Sequence, residues 1–262
     1  MSKIISIFNQ KGGSAKSTST LNIATALALQ GKTLVIDNDG QANTTYIMTG
    51  MDDDEIEESG YRTIHELLTE KDIKASDVIY KTNFDNIEII PATIDHVYSD
   101  MKLMTALDNN RVLSKKLNEI KDMYDYIIMD NPPSISLSTY NSLMAADVVV
   151  APIESSVFSA KGLKNLINLI ADINDNRENK LQLLTFLSKV DNRKKIKNIN
   201  TKKVLEDVLK DSFIKEQHIS MNSAYVDSLE EGETSITWKK DNIGKKEYIK
   251  LTNLILEKLE VK

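Results

Sequence analysis

Apolar residues gather along this chain in short unbroken runs at 4–8, 33–37, 87–90, 126–130, 148–153 and 181–187. Runs of that length without alternation predict strands buried on both faces. Between most of them apolar positions recur at helical spacing, which predicts helices near 17–30, 61–69, 110–122, 137–145 and 161–173. The first helix carries Leu21, Ile23, Ala24, Leu27 and Ala28 and stops at Gly31, a residue suited to a helix C-terminus. Strand–helix alternation predicts an α/β fold, a mainly parallel sheet with helices on both faces. A last helix at 245–261 sets Tyr248, Leu251, Ile255 and Leu259 on one stripe, with Lys250, Lys258, Glu247, Glu257 and Glu260 mixed elsewhere. A membrane-surface helix would show a lysine-rich polar face, so this one reads as core-packed. The acidic run Asp52–Glu58 reads as a solvated loop.

The stretch from Asn9 to Thr18 lies between the first strand and the first helix: Asn9-Gln10-Lys11-Gly12-Gly13-Ser14-Ala15-Lys16-Ser17-Thr18. A strand turning through glycines into a helix aims several N–H groups and the positive helix end at one point, which binds phosphate. Lys16 can then reach the β- and γ-phosphates, and the Ser17 hydroxyl can ligate Mg²⁺. The ordinary G-x-x-x-x-G-K-[ST] loop would need glycine at Gln10 and Ala15, so the match is to the K-G-G-x-x-K-[ST] form with its extra lysine, Lys11. Asp37, Asp39 and Asp130 fall at or just past the ends of predicted strands. Ligands of parallel sheets sit beyond those ends, so chain order alone brings loop and carboxylates to one edge.

These residues resemble the deviant Walker-A ATPases, and within them the ParA-type partition ATPases. Leu34–Asn43 is similar to the family's D-x-D-P-Q-x-N switch, Ile87–Ala92 to its third strand and turn, and Tyr124–Ser134 to its Y-D-Y-I-I-I-D-x-P-P-S segment. Asn141-Ser142-Leu143 and Val148–Pro152 follow in order, so the resemblance covers most of 1–160. It implies a P-loop NTPase that holds ATP and Mg²⁺ through Lys11, Gly12, Gly13, Ser14, Ala15, Lys16, Ser17 and Thr18, with Ser17, Asp37 and Asp130 around the metal. It assigns catalysis to Lys11, Lys16 and Asp39, with Asp39 orienting the attacking water and Lys11 reaching a partner subunit's nucleotide across an ATP-dependent homodimer. It also implies non-specific DNA binding, a centromere-binding ParB-like adaptor, and slow ATP hydrolysis stimulated by a partner. Arg193 falls where the family carries a DNA-contacting arginine, and Lys194 and Lys195 extend it; a second basic position is missing at Met221 and Ala224. Three further departures are Ala15 for glycine, Gly40 for proline, where a looser switch is expected, and Asn131 for cysteine.

Composition narrows the reading further. At 262 residues the chain suits one large ATPase domain over 1–262, with no linker or repeat. There is no cysteine, which excludes iron–sulfur relatives that need thiolate ligands. His65, His96 and His218 lack metal-ligand spacing and read as ordinary surface or half-buried residues. No apolar stretch reaches the roughly 20 residues of a membrane span, and the expected location is cytoplasmic, nucleoid-associated with ATP. The net charge of −6 gives DNA binding no global support, but Lys189, Arg193, Lys194, Lys195, Lys197, Lys202 and Lys203 form one basic block and Lys239, Lys240, Lys245 and Lys246 another. Asp191 and Asn192 are offered as adenine contacts, and Trp238 as a packed aromatic. Two alternatives stand beside the DNA reading: a MinD-like membrane-cycling ATPase, and a metabolic ligase of the dethiobiotin synthetase kind, in which Lys11 would serve substrate.

Overall fold

Eight strands form one sheet in a computed structural model that describes residues 2–155 and 160–260. They are β1 (Lys3–Ile7), β2 (Thr33–Asp37), β3 (Tyr80–Lys81), β4 (Ile87–Ile90), β5 (Tyr126–Asp130), β6 (Val148–Glu154), β7 (Gln182–Val190) and β8 (Phe213–Ser220). The order is β3-β4-β2-β5-β1-β6-β7-β8, parallel throughout except for the antiparallel β3–β4 edge. The helices are α1 (Lys16–Ala28), α2 (Asn43–Thr49), α3 (Asp53–Glu58), α4 (Ile64–Thr69), α5 (Ser99–Leu103) and α6 (Val112–Leu117). Then come α7 (Leu137–Ala145), α8 (Ala160–Asp175), α9 (Lys195–Leu209), α10 (Ala224–Glu230) and α11 (Ile243–Glu260).

Side chains alternate across each strand, so one sequence feeds two cores. Leu34, Ile36, Ile127, Met129 and Val149 face the layer holding Leu67, Leu113, Leu143 and Leu166. Ile5, Ile7, Val35, Ile128, Val150 and Phe186 face α1 and α11 through Leu21, Ile23, Leu27, Tyr248, Leu251 and Ile255. The C-terminal helix is thus packed into the core, as its stripe predicts. Register then fixes the functional edge: Ile7 pairs with Asp130, and Asp130 with Asp37, so three strands end in one row.

Three expectations are corrected. The acidic run is a helix, α3, because Asp52 accepts from Glu55 N and Glu55 returns the bond to Asp52 N, while Ile56 is buried. Within the same helix Asp53 accepts from Ile94 N at 2.9 Å, so an apparently solvated acid holds the turn after β4. Helix α6 is shorter than the periodicity at 110–122 suggests. Finally, His65 and His96 are both buried, and only His218 is exposed.

Candidate active site

The loop after β1 is held from two sides. Asn9 Nδ2 donates to Pro152 O at 2.7 Å and its Oδ1 accepts from Lys11 N, fixing the loop entry to the end of β6. Ser188 Oγ and Lys189 Nζ donate to Ser14 O and Gly13 O at 3.2 and 2.7 Å, fixing its far side to the end of β7. Gly13 has φ +71, and Ala15 at φ 70 adopts the left-handed conformation usually left to glycine. An alanine there costs on the order of 1 kcal/mol, so the chain keeps the loop's shape despite the substitution. Ala15 is also the N-cap of α1 and supplies no side-chain cap, which leaves the first-turn N–H groups of a 13-residue helix to an anion.

Lys16, Ser17, Thr18, Gly12, Gly13, Ala15 and Asp39 line a cavity of about 500 Å³. Burial lowers the Lys16 pKa, while Asp130 and Asp39 favour its charge. Lys11 sits at the rim in an ion pair with Glu154, and Lys16 Nζ donates to Lys11 O at 3.3 Å. Ser14 lies inward, with its hydroxyl buried and without a hydrogen-bond partner.

Behind the lysine stand two fully buried carboxylates. Asp130 accepts from Thr20 Oγ1 at 3.0 Å and Thr44 Oγ1 at 2.8 Å, and the Ser17 hydroxyl nearby also favours its charge. Asp37 accepts from Thr45 N and Oγ1 at 2.7 and 2.8 Å and from Asp39 N at 3.2 Å. Burial pushes both pKa values up, and Asp130 adds repulsion to Asp37. Adjacent buried acids whose charge is disfavoured mark a place that a cation completes. The donors are hydroxyls and carboxylates, hard ligands that suit Mg²⁺. Among the described residues no three His, Cys, Asp or Glu side chains could chelate a metal alone, which fits an ion that also takes phosphate and water oxygens. Ser17 stands near Asp130, whose partner in register on β2 is Asp37.

The far end of the cavity is apolar: Ile219, Met221, Tyr225, Val226 and Tyr248, with Asn222 and Lys189 at the edge. Asn222 Oδ1 accepts from Ala224 N at 2.9 Å, which leaves its amide N–H groups for a ligand. Glu247 braces this wall, accepting from Ser220 N at 2.8 Å and Tyr225 Oη at 2.5 Å. Sequence reading missed the wall because β8 has a polar middle and gives no apolar run. Asp191 and Asn192 do not line it; Asp191 instead grips its neighbour Arg193 at 2.8 and 2.9 Å, which holds its carboxyl down to about 2. Lys189 likewise leaves the basic block for the loop. Arg193, Lys194 and Lys195 stand exposed at the N-terminus of α9. Trp238 is half-buried, with its Nε1–H on Glu231 and Lys240 over its ring at 4.5 Å.

Two departures acquire physical roles. Asn131 Nδ2 donates to Ser6 Oγ and Ile7 O, both at 2.9 Å, and its Oδ1 accepts from Asn38 Nδ2 at 2.9 Å, tying the Asp37–Asp39 turn to β1. Gly40 has a packing role as well. An added Cβ would lie 2.8 Å from Val97 Cγ1, so glycine allows a close approach there.

A parallel sheet with a glycine loop between β1 and α1, and acids ending β2 and β5, defines a P-loop NTPase. The AAA_31 family model, an AAA domain, matches residues 2–183; the chain belongs to that family, with Soj and ParA homologues of ParA-type partition ATPases within it. It is 36% identical over 171 residues to the sporulation initiation inhibitor protein Soj of Bacillus subtilis, a match spanning 65% of each chain and so just under two thirds of that relative. The fold is similar to cobyrinic acid a,c-diamide synthase of Mycobacterium smegmatis with bound ATP analog and magnesium, with TM-score 0.82, 22% identity and coverage of 100% of this chain and 97% of that one. It is also similar to a putative plasmid partition protein of Borrelia burgdorferi B31 bound to AMPPNP, with TM-score 0.76, 25% identity and 99% of each chain covered. No helix among the described residues is long and apolar enough to cross a membrane.

Proposed function

We propose that this chain is an ATP-switched DNA partition ATPase. ATP binding brings two copies together and onto DNA without sequence preference, and hydrolysis to ADP and phosphate releases them. The observation that carries the reading is that Lys16, Ser17 and Asp39 line one cavity with buried Asp130 behind them. The loop amides and Lys16 cradle the phosphates. Ser17 and Asp130, with Asp37 behind, hold Mg²⁺, which when bound draws charge from the phosphate oxygens. Asp39 orients the water that attacks the γ-phosphorus, and Gly12, Gly13, Ser14, Ala15 and Thr18 shape the cradle. The apolar wall of Met221, Tyr225 and Val226 suits a planar base, with the amide of Asn222 as its polar contact.

Lys11 leaves Glu154 to reach the partner subunit's nucleotide, so the dimer forms only around ATP. Arg193, Lys194 and Lys195 crowd the already positive N-terminus of α9, which has no acidic residue in its first turn, an arrangement that favours phosphate. A centromere-binding ParB-like adaptor is the proposed partner that stimulates turnover. The membrane alternative is disfavoured because α11 buries its apolar stripe in the core. Cosedimentation with plasmid DNA, with ATP or ADP and across salt concentrations, tests the reading. ATP-dependent, salt-sensitive binding is expected, and equal binding by the ADP form overturns it.

A further inference from the structure

We propose that His96 is a positioning residue for the Asp39 turn, oriented by a one-way hydrogen-bond chain that starts at the ammonium of Lys102. This rests on the reading of Asp39 above as the water-orienting group.

The chain runs from the exposed Lys102 through the buried His65, Ser99 and His96, none of which the phosphate chemistry uses. Lys102 Nζ lies 2.9 Å from His65 Nε2, His65 Nδ1 lies 2.9 Å from Ser99 Oγ, and Ser99 Oγ lies 2.9 Å from His96 Nδ1. An ammonium only donates, so His65 Nε2 must accept and the His65 proton sits on Nδ1. Ser99 Oγ accepts that proton's bond and passes its own to His96 Nδ1, which leaves the His96 proton on Nε2. Each tautomer follows from the one before it. His96 Nε2 is buried without a hydrogen-bond partner, and the Asn38 carbonyl close to the ring favours the protonated imidazole. Burial holds both imidazoles below their usual pKa, His96 down to about 4, so the neutral forms this direction requires are the ones present at neutral pH.

A second contact comes from the same segment. The 3-10 turn Ile94–Tyr98 presses on Gly40, where an added Cβ would meet Val97 Cγ1 at 2.8 Å, Val97 N at 3.4 Å and Ile94 O at 3.7 Å. Asn38 and Gly40 flank Asp39, so both neighbours of that residue rest on the 94–97 segment. Among the described residues Asp39 makes only short-range bonds: its N–H donates to Asp37 Oδ1 at 3.2 Å, its carboxylate accepts from Gln41 N at 3.0 Å and its carbonyl from Ala42 N. The support for its aim therefore comes from outside its own turn.

Imidazole ¹⁵N shifts of the ligand-free chain at about pH 7 test the direction without any variant. His65 as the Nδ1–H tautomer and His96 as the Nε2–H tautomer are expected; either opposite tautomer overturns the proposal. Turnover and ATP affinity test the role. His96→Leu should lower kcat roughly tenfold to a hundredfold with the Kd for ATP essentially unchanged, as for a misplaced catalytic group. His96→Gln, which keeps a donor toward Asn38, should recover more turnover than His96→Asn, which keeps only the acceptor for Ser99. Gly40→Ala should lower kcat, and adding Val97→Ala should restore part of it. A His96→Leu chain with normal kcat, or one losing ATP affinity in step with kcat, overturns the positioning role. Failure of the underlying reading looks different: it shows as Asp39→Ala turning over ATP like the unaltered chain.

Discussion

Lys11 and Glu154 form an ion pair at the rim of the phosphate loop, tying the loop's first lysine to the C-terminal end of β6. The Lys11 side chain is 37% exposed and that of Glu154 15%, so the pair is reachable from solvent yet partly desolvated. In the partition reading the lysine must exchange this carboxylate for a partner's nucleotide, and the pair opposes dimerisation.

Glu154→Gln should therefore strengthen the ATP-dependent dimer. A pair of this exposure is worth a few tenths to about 1 kcal/mol, and a symmetric dimer releases two, so the association constant should rise roughly three- to thirtyfold. Lys11→Ala should still bind ATP through Lys16 and the loop amides but remain monomeric. Light scattering with ATP in the Asp39→Ala background reads both. If Lys11→Ala dimerises as tightly as the chain that retains the lysine, the residue is a surface cation or serves a substrate within one subunit.

Lys16 and Asp39, which line the cavity, should separate binding from chemistry. Lys16→Ala removes the cation inside the cavity and should abolish nucleotide binding. Asp39→Ala should bind ATP normally and lose about 10²–10³ in rate, the usual cost of removing a group that acts only on the transition state. Isothermal titration and phosphate release measure the pair. Equal loss of ATP affinity in both variants would remove Asp39 from the water-orienting role.

Most of the sheet and the phosphate loop were legible because they depend on neighbours in sequence. Strands buried on both faces read as unbroken apolar runs, and a glycine turn between a strand and a helix, with Lys16 and Ser17 following, is a local pattern that suits phosphate. Strand β8 escaped because Lys215 and Glu216 are exposed in its middle, as an edge position permits, and with it went the apolar wall of the cavity. Helix α3 escaped because an acidic run looks solvated until Asp52 and Glu55 cap one another. His65 and His96 looked scattered because Ser99 joins them only after α4 and α5 pack together. The α3 capping box is local and stands in the sequence as Asp52 and Glu55, whereas the His65–Ser99 contact joins residues 34 apart and needs the packed fold.

The buried His96 should also mark the acid side of the stability curve. Its pKa in the folded chain is about 4, against an ordinary 6.5, set by burial and by His65, with Asp100, Glu66 and the Asn38 carbonyl partly offsetting it. Below the ordinary value the unfolded chain binds a proton that the folded chain refuses. The contribution of His96 is therefore full above about pH 7 and is lost as pH falls toward 4, by roughly 3 kcal/mol at most, while the raised pKa values of Asp37 and Asp130 act with the opposite sign. His65, whose pKa is lowered by burial and by Lys102, adds loss of the same sign. Urea unfolding from about pH 7 down to pH 5 should show the unaltered chain losing stability relative to His96→Leu, because the variant lacks this contribution while both keep the buried carboxylates. An unaltered slope in that variant would place the acid sensitivity elsewhere.

DNA contact is the prediction with the least support from overall charge, since the chain carries −6 in total. Local geometry argues the other way. Arg193, Lys194 and Lys195 stand exposed where α9 begins, and Asp191 is the acid that Arg193 and Lys194 reach, the second only at 3.9 Å. Replacing all three by alanine should weaken binding to every DNA sequence alike and leave ATP binding intact, because contacts to phosphate carry no sequence information. If all three meet phosphates in both subunits, the slope of log K against log salt should fall by up to about 5. Fluorescence anisotropy on two unrelated duplexes, with ATP and Asp39→Ala to hold the dimer, measures both quantities. An unchanged slope would move the DNA surface to Lys239, Lys240, Lys245 and Lys246, whereas a loss confined to one duplex would mean that these side chains read bases.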